Sequence, residues 1–90
     1  MTRDQVRDIV FHHLHELVPD TAGRDIDEMA LLNEIGVDSL DLVDVASRSM
    51  QDLGVKLPRA EIGRIHTLDD LIQALLRTAL AAAAEPPAAG

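Results

Sequence analysis

Apolar residues recur at steps of three and four along the start of the chain. These positions are Val6, Ile9, Val10, Leu14, Leu17 and Val18. Thr2 and Gln5 have the spacing of a capping box, in which each side chain bonds the backbone of the other residue. The residue before Pro19 is disfavoured in the α region. The pattern therefore predicts an amphipathic first helix that starts at Thr2 and ends at or before Val18.

The last apolar run has the clearest helix start in the chain. Thr67 and Asp70 again have the spacing of a capping box. The apolar positions of this run are Leu68, Leu71, Ile72, Leu75, Leu76, Ala79 and Leu80. Ala81 to Ala84 can extend the helix, whereas the Ala/Pro-rich end of the chain has little to bury. We therefore predict a helical bundle over residues 1–82 and a disordered tail over residues 83–90.

A third helical pattern runs from Ser39 to Leu53 and is followed by Gly54, a residue type that commonly ends helices. At about 100° per residue, one narrow stripe faces the core and a second stripe lies about 120° round from it. The core stripe contains Leu42, Val45, Ala46, Ser49 and Leu53, and the second contains Leu40, Val43, Ser47 and Met50. Because Ser49 is polar, we expect its hydroxyl to donate to the carbonyl of Val45 one turn back.

The segments between these helices contain turn signals and scattered apolar anchors. Residues 19–38 predict a long loop between the first two helices, and a loop of this length usually has short turns of its own, here expected at residues 29–34. Pro58 suits a first helical position, and residues 60–65 form a short helical segment weakened by Gly63. The predicted fold class is all-α, a small bundle of three long helices and one short helical segment.

The charge of the chain is strongly negative. Sixteen acidic residues face eight basic ones, and the net charge is −8. Residues 25–52 alone hold eight acidic residues and one basic residue. A negative surface argues against nucleic acid and anionic membranes, and it predicts a basic partner surface. With no cysteine, no signal-peptide pattern and no apolar run long enough to cross a bilayer, the chain is expected to be cytoplasmic.

The segment Gly36-Val37-Asp38-Ser39-Leu40 places a hydroxyl where a loop becomes a helix. Asp38 is a favoured N-cap residue, so Ser39 falls in the first helical turn. Unpaired backbone N–H groups there carry a partial positive charge that suits a phosphodiester. Ser39 is therefore a candidate covalent attachment point, although the same residues also fit ordinary helix capping.

Three polar residues of the first helix have the i, i+3 and i+4 spacing of metal ligands. They are His12, His15 and Glu16. No further cysteine or histidine pair completes a tetrahedral zinc site. We therefore predict no metal site and interpret these residues as a polar helix face.

Three further segments accompany the Gly36–Leu40 motif at characteristic separations. They are Asn33-Glu34-Ile35-Gly36, Leu53-Gly54-Val55-Lys56-Leu57-Pro58 and Ile65-His66-Thr67-Leu68-Asp69-Asp70-Leu71. Together the four segments resemble the acyl carrier protein family over most of the chain, and their combination is more specific than any one of them. The resemblance implies that Ser39, flanked by Asp38, carries 4′-phosphopantetheine from coenzyme A with an acyl group as a thioester. The chain would then be a carrier with no catalytic residue of its own, not an enzyme.

The resemblance also implies the partners of the carrier. These are a phosphopantetheinyl transferase, an acyl-loading ligase or acyltransferase, and synthase or transferase domains. We expect them to dock on the second helix, where acidic residues raise encounter rates and apolar residues supply contact area. The predicted docking residues are Leu40, Asp41, Val43, Asp44 and Ser47. The carrier is expected to be a monomer.

Two departures from the fatty-acid members of the family bear on the pathway. The late part of the second helix contains Arg48, Met50 and Gln51, and the short segment is basic through Arg59 and Arg64. These features favour a stand-alone carrier of polyketide or other specialised biosynthesis. An aminoacyl or peptidyl carrier and a cofactor-free helical adaptor remain alternatives.

Overall fold

The structure, a computed structural model, describes residues 1–84 as an all-α bundle. Its elements are α1 (Arg3–Leu17), a 3₁₀ turn at Pro19–Thr21, a second 3₁₀ turn at Leu32–Ile35, α2 (Ser39–Leu53), α3 (Arg59–Ile62) and α4 (Leu68–Ala84). The predicted fold of three long helices, one short helical segment and a long first connection is confirmed. α4 continues past the predicted end of the bundle at residue 82, and residues 85–90 of the predicted tail lie outside the described residues. Among residues 1–84, no helix has the length and apolarity that crossing a membrane requires.

The starts of α1 and α4 are fixed by neighbouring side chains. At α1, the N–H of Gln5 donates to Oγ1 of Thr2 at 3.3 Å, and the N–H of Thr2 donates to Oε1 of Gln5 at 2.8 Å. At α4, the N–H of Asp70 donates to Oγ1 of Thr67 at 3.0 Å, and the N–H of Thr67 donates to Oδ2 of Asp70 at 3.3 Å. These bonds confirm both predicted capping boxes. Each box satisfies backbone groups that a helix start leaves unpaired. α1 also ends at Leu17, as predicted.

One hydrophobic core lies between α1, α2 and α4 and is closed by apolar residues of the first connection. Its buried members include Val6, Val10, Leu14, Ile35, Val37, Val45, Ala46, Leu71, Ile72 and Leu75. The predicted core stripe of α2 is buried except for Leu53, which is half-buried. Burial of each large aliphatic side chain contributes about 1.5–3 kcal/mol. The core therefore fixes which face of α2 points outward.

Ser49 lies on the core stripe of α2 and has no exposed surface. Its Oγ has no hydrogen-bond partner among the described residues, so the predicted bond to the carbonyl oxygen of Val45 is wrong. A helical serine reaches the carbonyl one turn back only in some rotamers of its side chain. A buried hydroxyl without a partner lowers stability.

The first connection contains a helical turn later than predicted. This turn is the 3₁₀ turn at Leu32–Ile35, so only residues 32–34 of the predicted range 29–34 are helical. The N–H of Leu32 donates to the carbonyl oxygen of His66 at 2.9 Å. This long-range bond holds the connection against the segment before α4. The position of the turn is therefore set by a tertiary contact, which local sequence signals do not report.

α3 is shorter than predicted and begins one residue after Pro58. It spans Arg59–Ile62, and Pro58 is its extended N-cap instead of its first helical residue. Beyond Gly63 the helix does not continue, and the backbone forms a turn in which the N–H of Ile65 donates to the carbonyl oxygen of Ile62 at 3.1 Å. This turn buries Ile65. A helix this short gains little from its own hydrogen bonds, so packing of its flanking residues sets its ends.

An ion cluster ties α1 to the first connection and to α4. Nη2 of Arg3 donates to Oε1 of Glu28 at 2.6 Å and to Oδ1 of Asp69 at 2.7 Å, and Nε of Arg7 donates to Oε2 of Glu28 at 2.6 Å. The hydrogen bond from Arg7 lowers the pKa of Glu28 below its ordinary value, and burial opposes it. The hydrogen bonds to Glu28 and Asp69 raise the pKa of Arg3. The cluster therefore favours the ionised forms of Arg3 and Glu28.

Candidate functional site

Ser39 is the first residue of α2 and is exposed. The N–H of Asp41 donates to Oδ1 of Asp38 at 2.8 Å, and the N–H of Asp38 donates to Oδ2 of Asp41 at 3.4 Å. Asp38 is thus the predicted N-cap, and Asp41 completes a capping box that the sequence analysis did not identify. Because two aspartates cap the helix, the hydroxyl of Ser39 is not required for capping. It is available for chemistry.

The backbone turns sharply at Gly36, three residues before Ser39. Gly36 ends the 3₁₀ turn with a φ of 87°, a left-handed conformation that is unfavourable for residues with a side chain. Ile35 and Val37 on either side of it are both buried. The N–H of Val37 also donates to the carbonyl oxygen of Leu32 at 2.9 Å. The turn therefore anchors the chain in the core and brings Ser39 to the surface.

The predicted docking residues surround the outward face of α2 next to Ser39. Leu40 and Val43 keep 77% and 42% of their surface exposed. Asp44 is exposed and Ser47 is half-buried. Asp41 differs from the others, because it is half-buried and its carboxylate belongs to the capping box. The structure thus combines an exposed carboxylate with a small apolar patch, an arrangement suited to steering and contact in a protein interface.

Two grooves meet at Ser39. The loop groove has a volume of about 430 Å³ and is bounded by residues of the first connection, including Leu31, Leu32, Asn33 and Val37. The helix groove has a volume of about 750 Å³, lies between α2 and α3, and is lined by residues including Leu40, Val43, Ser47, Met50, Arg59 and Ile62. Both grooves are also lined by Ser39, Leu42, Ile65 and His66. A group attached to Ser39 therefore has two surfaces beside it.

Several residues around Ser39 were not identified as site residues from the sequence. They are Asn33, Arg59, Ile65 and His66. His66 reaches the site because its carbonyl oxygen accepts from Leu32, and an isolated antiparallel bridge pairs the adjacent residues Leu31 and Thr67. The capping box at Thr67 indicates that a helix starts there. It carries no information about which loop meets that start.

Comparison with known proteins defines the class of this chain. A model of the phosphopantetheine attachment site family matches residues 12–75, a range that includes Ser39. The polyketide biosynthesis acyl-carrier-protein AcpK of Bacillus subtilis (strain 168) is 24% identical over 75 residues, which cover 83% of this chain and 92% of AcpK. An acyl carrier protein of Thermotoga maritima is 30% identical over 70 residues, which cover 73% of this chain and 86% of the relative.

Solved structures share the fold. The acetyl actinorhodin acyl carrier protein from Streptomyces coelicolor aligns with a TM-score of 0.72 and 28% identity over 84% of this chain and 92% of its own. A chain from the complex of the curacin biosynthetic pathway HMG synthase with an acetyl donor ACP also aligns with a TM-score of 0.72, at 24% identity over 84% of this chain and 96% of its own.

These matches define a protein that bears a phosphopantetheine attachment site. The chain belongs to the acyl carrier protein family. Members of this family are carriers and not enzymes, and their cofactor is 4′-phosphopantetheine, so the predicted family, cofactor and non-enzymatic role are confirmed.

Proposed function

We propose that Ser39 is the residue joined to 4′-phosphopantetheine, and that the chain carries an acyl intermediate of polyketide or other specialised biosynthesis. The proposal rests on the position of Ser39, which is exposed in the first turn of α2 where two grooves meet. The other two serines of the sequence are less accessible, since Ser47 is half-buried and Ser49 is buried. A modifying enzyme needs a free hydroxyl, and Ser39 offers one.

The residues at this site fit the chemistry of attachment. Oγ of Ser39 attacks the phosphorus that bears the pantetheine group of coenzyme A. The pyrophosphate P–O bond breaks, adenosine 3′,5′-bisphosphate leaves, and the hydroxyl proton passes to a base of the transferase. Backbone N–H groups in the first turn of α2 favour the charge of the resulting phosphodiester. The attached group supplies the thiol that holds an acyl group as a thioester.

The partners that we propose are a phosphopantetheinyl transferase, an acyl-loading ligase or acyltransferase, and synthase or transferase domains. They would dock on Leu40, Val43 and Asp44, which are exposed beside Ser39. The negative charge of the chain favours association with a basic enzyme surface, and the apolar side chains supply contact area. This chain shares its fold with a chain from the complex of an HMG synthase and an acetyl donor ACP. That likeness supports enzymes as partners.

Charges on α3 support a role in specialised biosynthesis. Glu61 is half-buried and pairs with Arg77 at 3.2 Å, whereas Arg59 and Arg64 are exposed. The surface formed by α3 and the residues just after it is therefore basic, which departs from the fatty-acid members of the family. The similarity to a polyketide carrier of Bacillus subtilis and to the actinorhodin carrier of Streptomyces coelicolor supports the same assignment.

Attachment is tested by incubating the full chain with coenzyme A and a promiscuous phosphopantetheinyl transferase, followed by intact mass measurement. We expect one phosphopantetheine group per chain. Ser39→Ala should abolish the addition, and Ser47→Ala, a serine on the same helix, should keep it. Addition of the group to the Ser39→Ala protein would disprove the assignment of Ser39.

The class of cargo requires a second measurement on the modified chain. An acyl carrier should accept acyl groups from acyl-loading ligases or acyltransferases and should reject amino acids offered by aminoacyl-loading ligases. Loading is read as a second mass increase that neutral hydroxylamine removes, because hydroxylamine cleaves thioesters. Selective loading with an amino acid would support the aminoacyl alternative, with Ser39 in the same role.

A further inference from the structure

His13 is a buried imidazole that carrier function does not explain. It lies on the inward face of α1 and is only 9% exposed. Its Nε2 lies 2.6 Å from Oδ2 of Asp52, near the end of α2. Because a carboxylate only accepts, Nε2 carries the proton in the neutral ring, and Nδ1 then has a free lone pair. Nδ1 is buried and has no hydrogen-bond partner among the described residues.

Two further ligand groups lie beside this histidine. Nε2 of His12 is 2.5 Å from Oε1 of Glu16, one helical turn further along α1. One ligand atom from each of His12, His13 and Glu16 lies within 4.8 Å of the other two. The side chains of His12 and Glu16 are 67% and 49% exposed, so both are free to adjust their rotamers.

We propose that His12, His13 and Glu16 form a binding site for a divalent transition-metal ion of the Zn²⁺ class, with Asp52 as a positioning residue. Zinc bonds imidazole nitrogen and carboxylate oxygen at about 2.0–2.2 Å in a tetrahedron. The ligand atoms of such a site are therefore about 3.3–3.5 Å apart. Binding would require the exposed side chains of His12 and Glu16 to rotate, since the ligand atoms now lie within 4.8 Å of one another. The three protein ligands leave one position for water.

Asp52 strengthens the case for His13 as a ligand. Histidines that bind metals almost always donate their other ring N–H to a carboxylate, a backbone carbonyl or water, which fixes the tautomer and raises the basicity of the ligating nitrogen. The His13–Asp52 pair has this arrangement, with Nε2 bonded and Nδ1 left over. The sequence spacing suggested His15 as a third ligand, but His15 instead packs edge-on against Phe11, with ring centroids 5.8 Å apart.

The chemistry of the ligands selects the ion. Two imidazoles suit zinc and its neighbours in the transition series, whereas Mg²⁺ and Ca²⁺ prefer sites made of oxygen atoms. The site also lies far from Ser39, because the thirteen helical steps from Ser39 to Asp52 span about 20 Å of α2. The proposed metal ligands on α1 therefore lie beside one end of α2, and Ser39 lies at the other end.

The proposal is tested by titrating the full chain with Zn²⁺ in a calorimeter and with Co²⁺ in a visible spectrophotometer. We expect saturation at one equivalent and the absorption bands of tetrahedral Co²⁺. His12→Ala and Glu16→Ala change exposed side chains, so both proteins should fold and lose the bound ion. His15→Ala is the matched control on the same helix and should bind as the parent does. Unchanged binding in His12→Ala and Glu16→Ala, or an absence of binding in the parent, would overturn the site.

The positioning role of Asp52 has its own readout. Asp52→Asn should weaken Zn²⁺ binding about 10- to 100-fold while the stoichiometry stays at one. In ¹⁵N spectra of the histidine rings, Zn²⁺ should shift the resonances of His12 and His13 and leave those of His15 and His66 in place. Equal Zn²⁺ affinity in Asp52→Asn and the parent would remove Asp52 from the proposal, and shifts confined to His15 or His66 would refute the proposed ligand set.

Discussion

Glu28 and Asp69 are joined twice, once through the backbone and once through a shared cation. The N–H of Asp69 donates to the carbonyl oxygen of Glu28 at 3.0 Å. Nη2 of Arg3 bridges their carboxylates, at 2.6 Å from Glu28 and 2.7 Å from Asp69. These bonds fasten the first connection to the start of α4. The connection in turn supports the turn at Gly36 that brings Ser39 to the surface.

Replacing Glu28 by glutamine should make the free energy of unfolding less dependent on pH in the acid range. The pKa of Glu28 is lowered in the folded protein, chiefly by the hydrogen bond from Arg7. The ionised carboxylate therefore stabilises the fold above its unfolded pKa, and this contribution is lost as pH falls through the lower, folded pKa. We expect Glu28→Gln to cost about 1–2 kcal/mol at pH 7 and progressively less in acid.

The measurement is urea unfolding of both proteins between pH 7 and pH 3. Glu34→Gln is the matched control, because Glu34 lies in the same connection but is exposed. Glu34→Gln should leave the dependence of the free energy of unfolding on pH nearly unchanged. A cost for Glu28→Gln that stays constant down to pH 3 would contradict the role of the ionised carboxylate.

Asp44→Lys should slow the attachment of phosphopantetheine by about tenfold at low salt, because Asp44 is an exposed charge on the proposed docking face. The effect should shrink at high salt, since surface fields are screened over about 10 Å at 0.1 M ionic strength. Initial rates at two salt concentrations provide the test. Asp20→Lys makes the same charge change at an exposed site in the first connection. An equal slowing by both substitutions would show that net charge, and not this face, controls the rate.

Ser49→Ala should stabilise the protein. It removes a fully buried hydroxyl that lacks a partner and introduces the residue with the best helix propensity. We expect a gain of about 1–2 kcal/mol in the free energy of unfolding. Ser47→Ala on the same helix is half-buried and should gain only the propensity difference, about 0.5 kcal/mol. Denaturant unfolding measures both, and a loss of stability in Ser49→Ala would mean that the hydroxyl has a partner in solution.

Gly36→Ala should cost about 1–2 kcal/mol, because Gly36 has a φ of 87° and alanine is strained in that conformation. There is open space around the position, so the cost is one of backbone conformation and not of a clash. Gly63→Ala is the contrasting control. Its backbone is right-handed and a Cβ there would be 3.6 Å from the nearest atom, so it should stabilise by about 0.4–1 kcal/mol. In thermal unfolding, the midpoint temperature should fall for Gly36→Ala and rise for Gly63→Ala.

Features that depend on neighbouring residues were predictable from the sequence. The capping boxes at Thr2 and Thr67 and the N-cap at Asp38 follow from side chains within three positions of the backbone groups that they bond. The end of α1 follows from Pro19 in the same way. Periodicity also identified the core stripe of α2, since an amphipathic helix has one apolar face whatever covers it.

Features that depend on contacts between distant segments were not predictable. His13 was not singled out from the sequence, and only the packing of α1 against α2 shows that it is buried against Asp52. His66 joins the surroundings of Ser39 only through its bond with Leu32. Hydrophobic periodicity gives the face of a helix but not its partner, so the neighbours of Ser39 had to come from the structure.

The shared lining of the two grooves has a consequence for any flexible group on Ser39. Leu42 and Ile65 are buried and border both grooves, so they form a common wall between two compartments that both open at Ser39, the proposed attachment point. A group attached to Ser39, as proposed, would have both compartments open to it, so that occupying one would empty the other. We therefore expect a bulky replacement in the helix groove, such as Val43→Phe, to shift such a group toward the loop groove without touching a residue of the first connection. Shielding of the tethered cargo from water is then set jointly by α3 and the first connection.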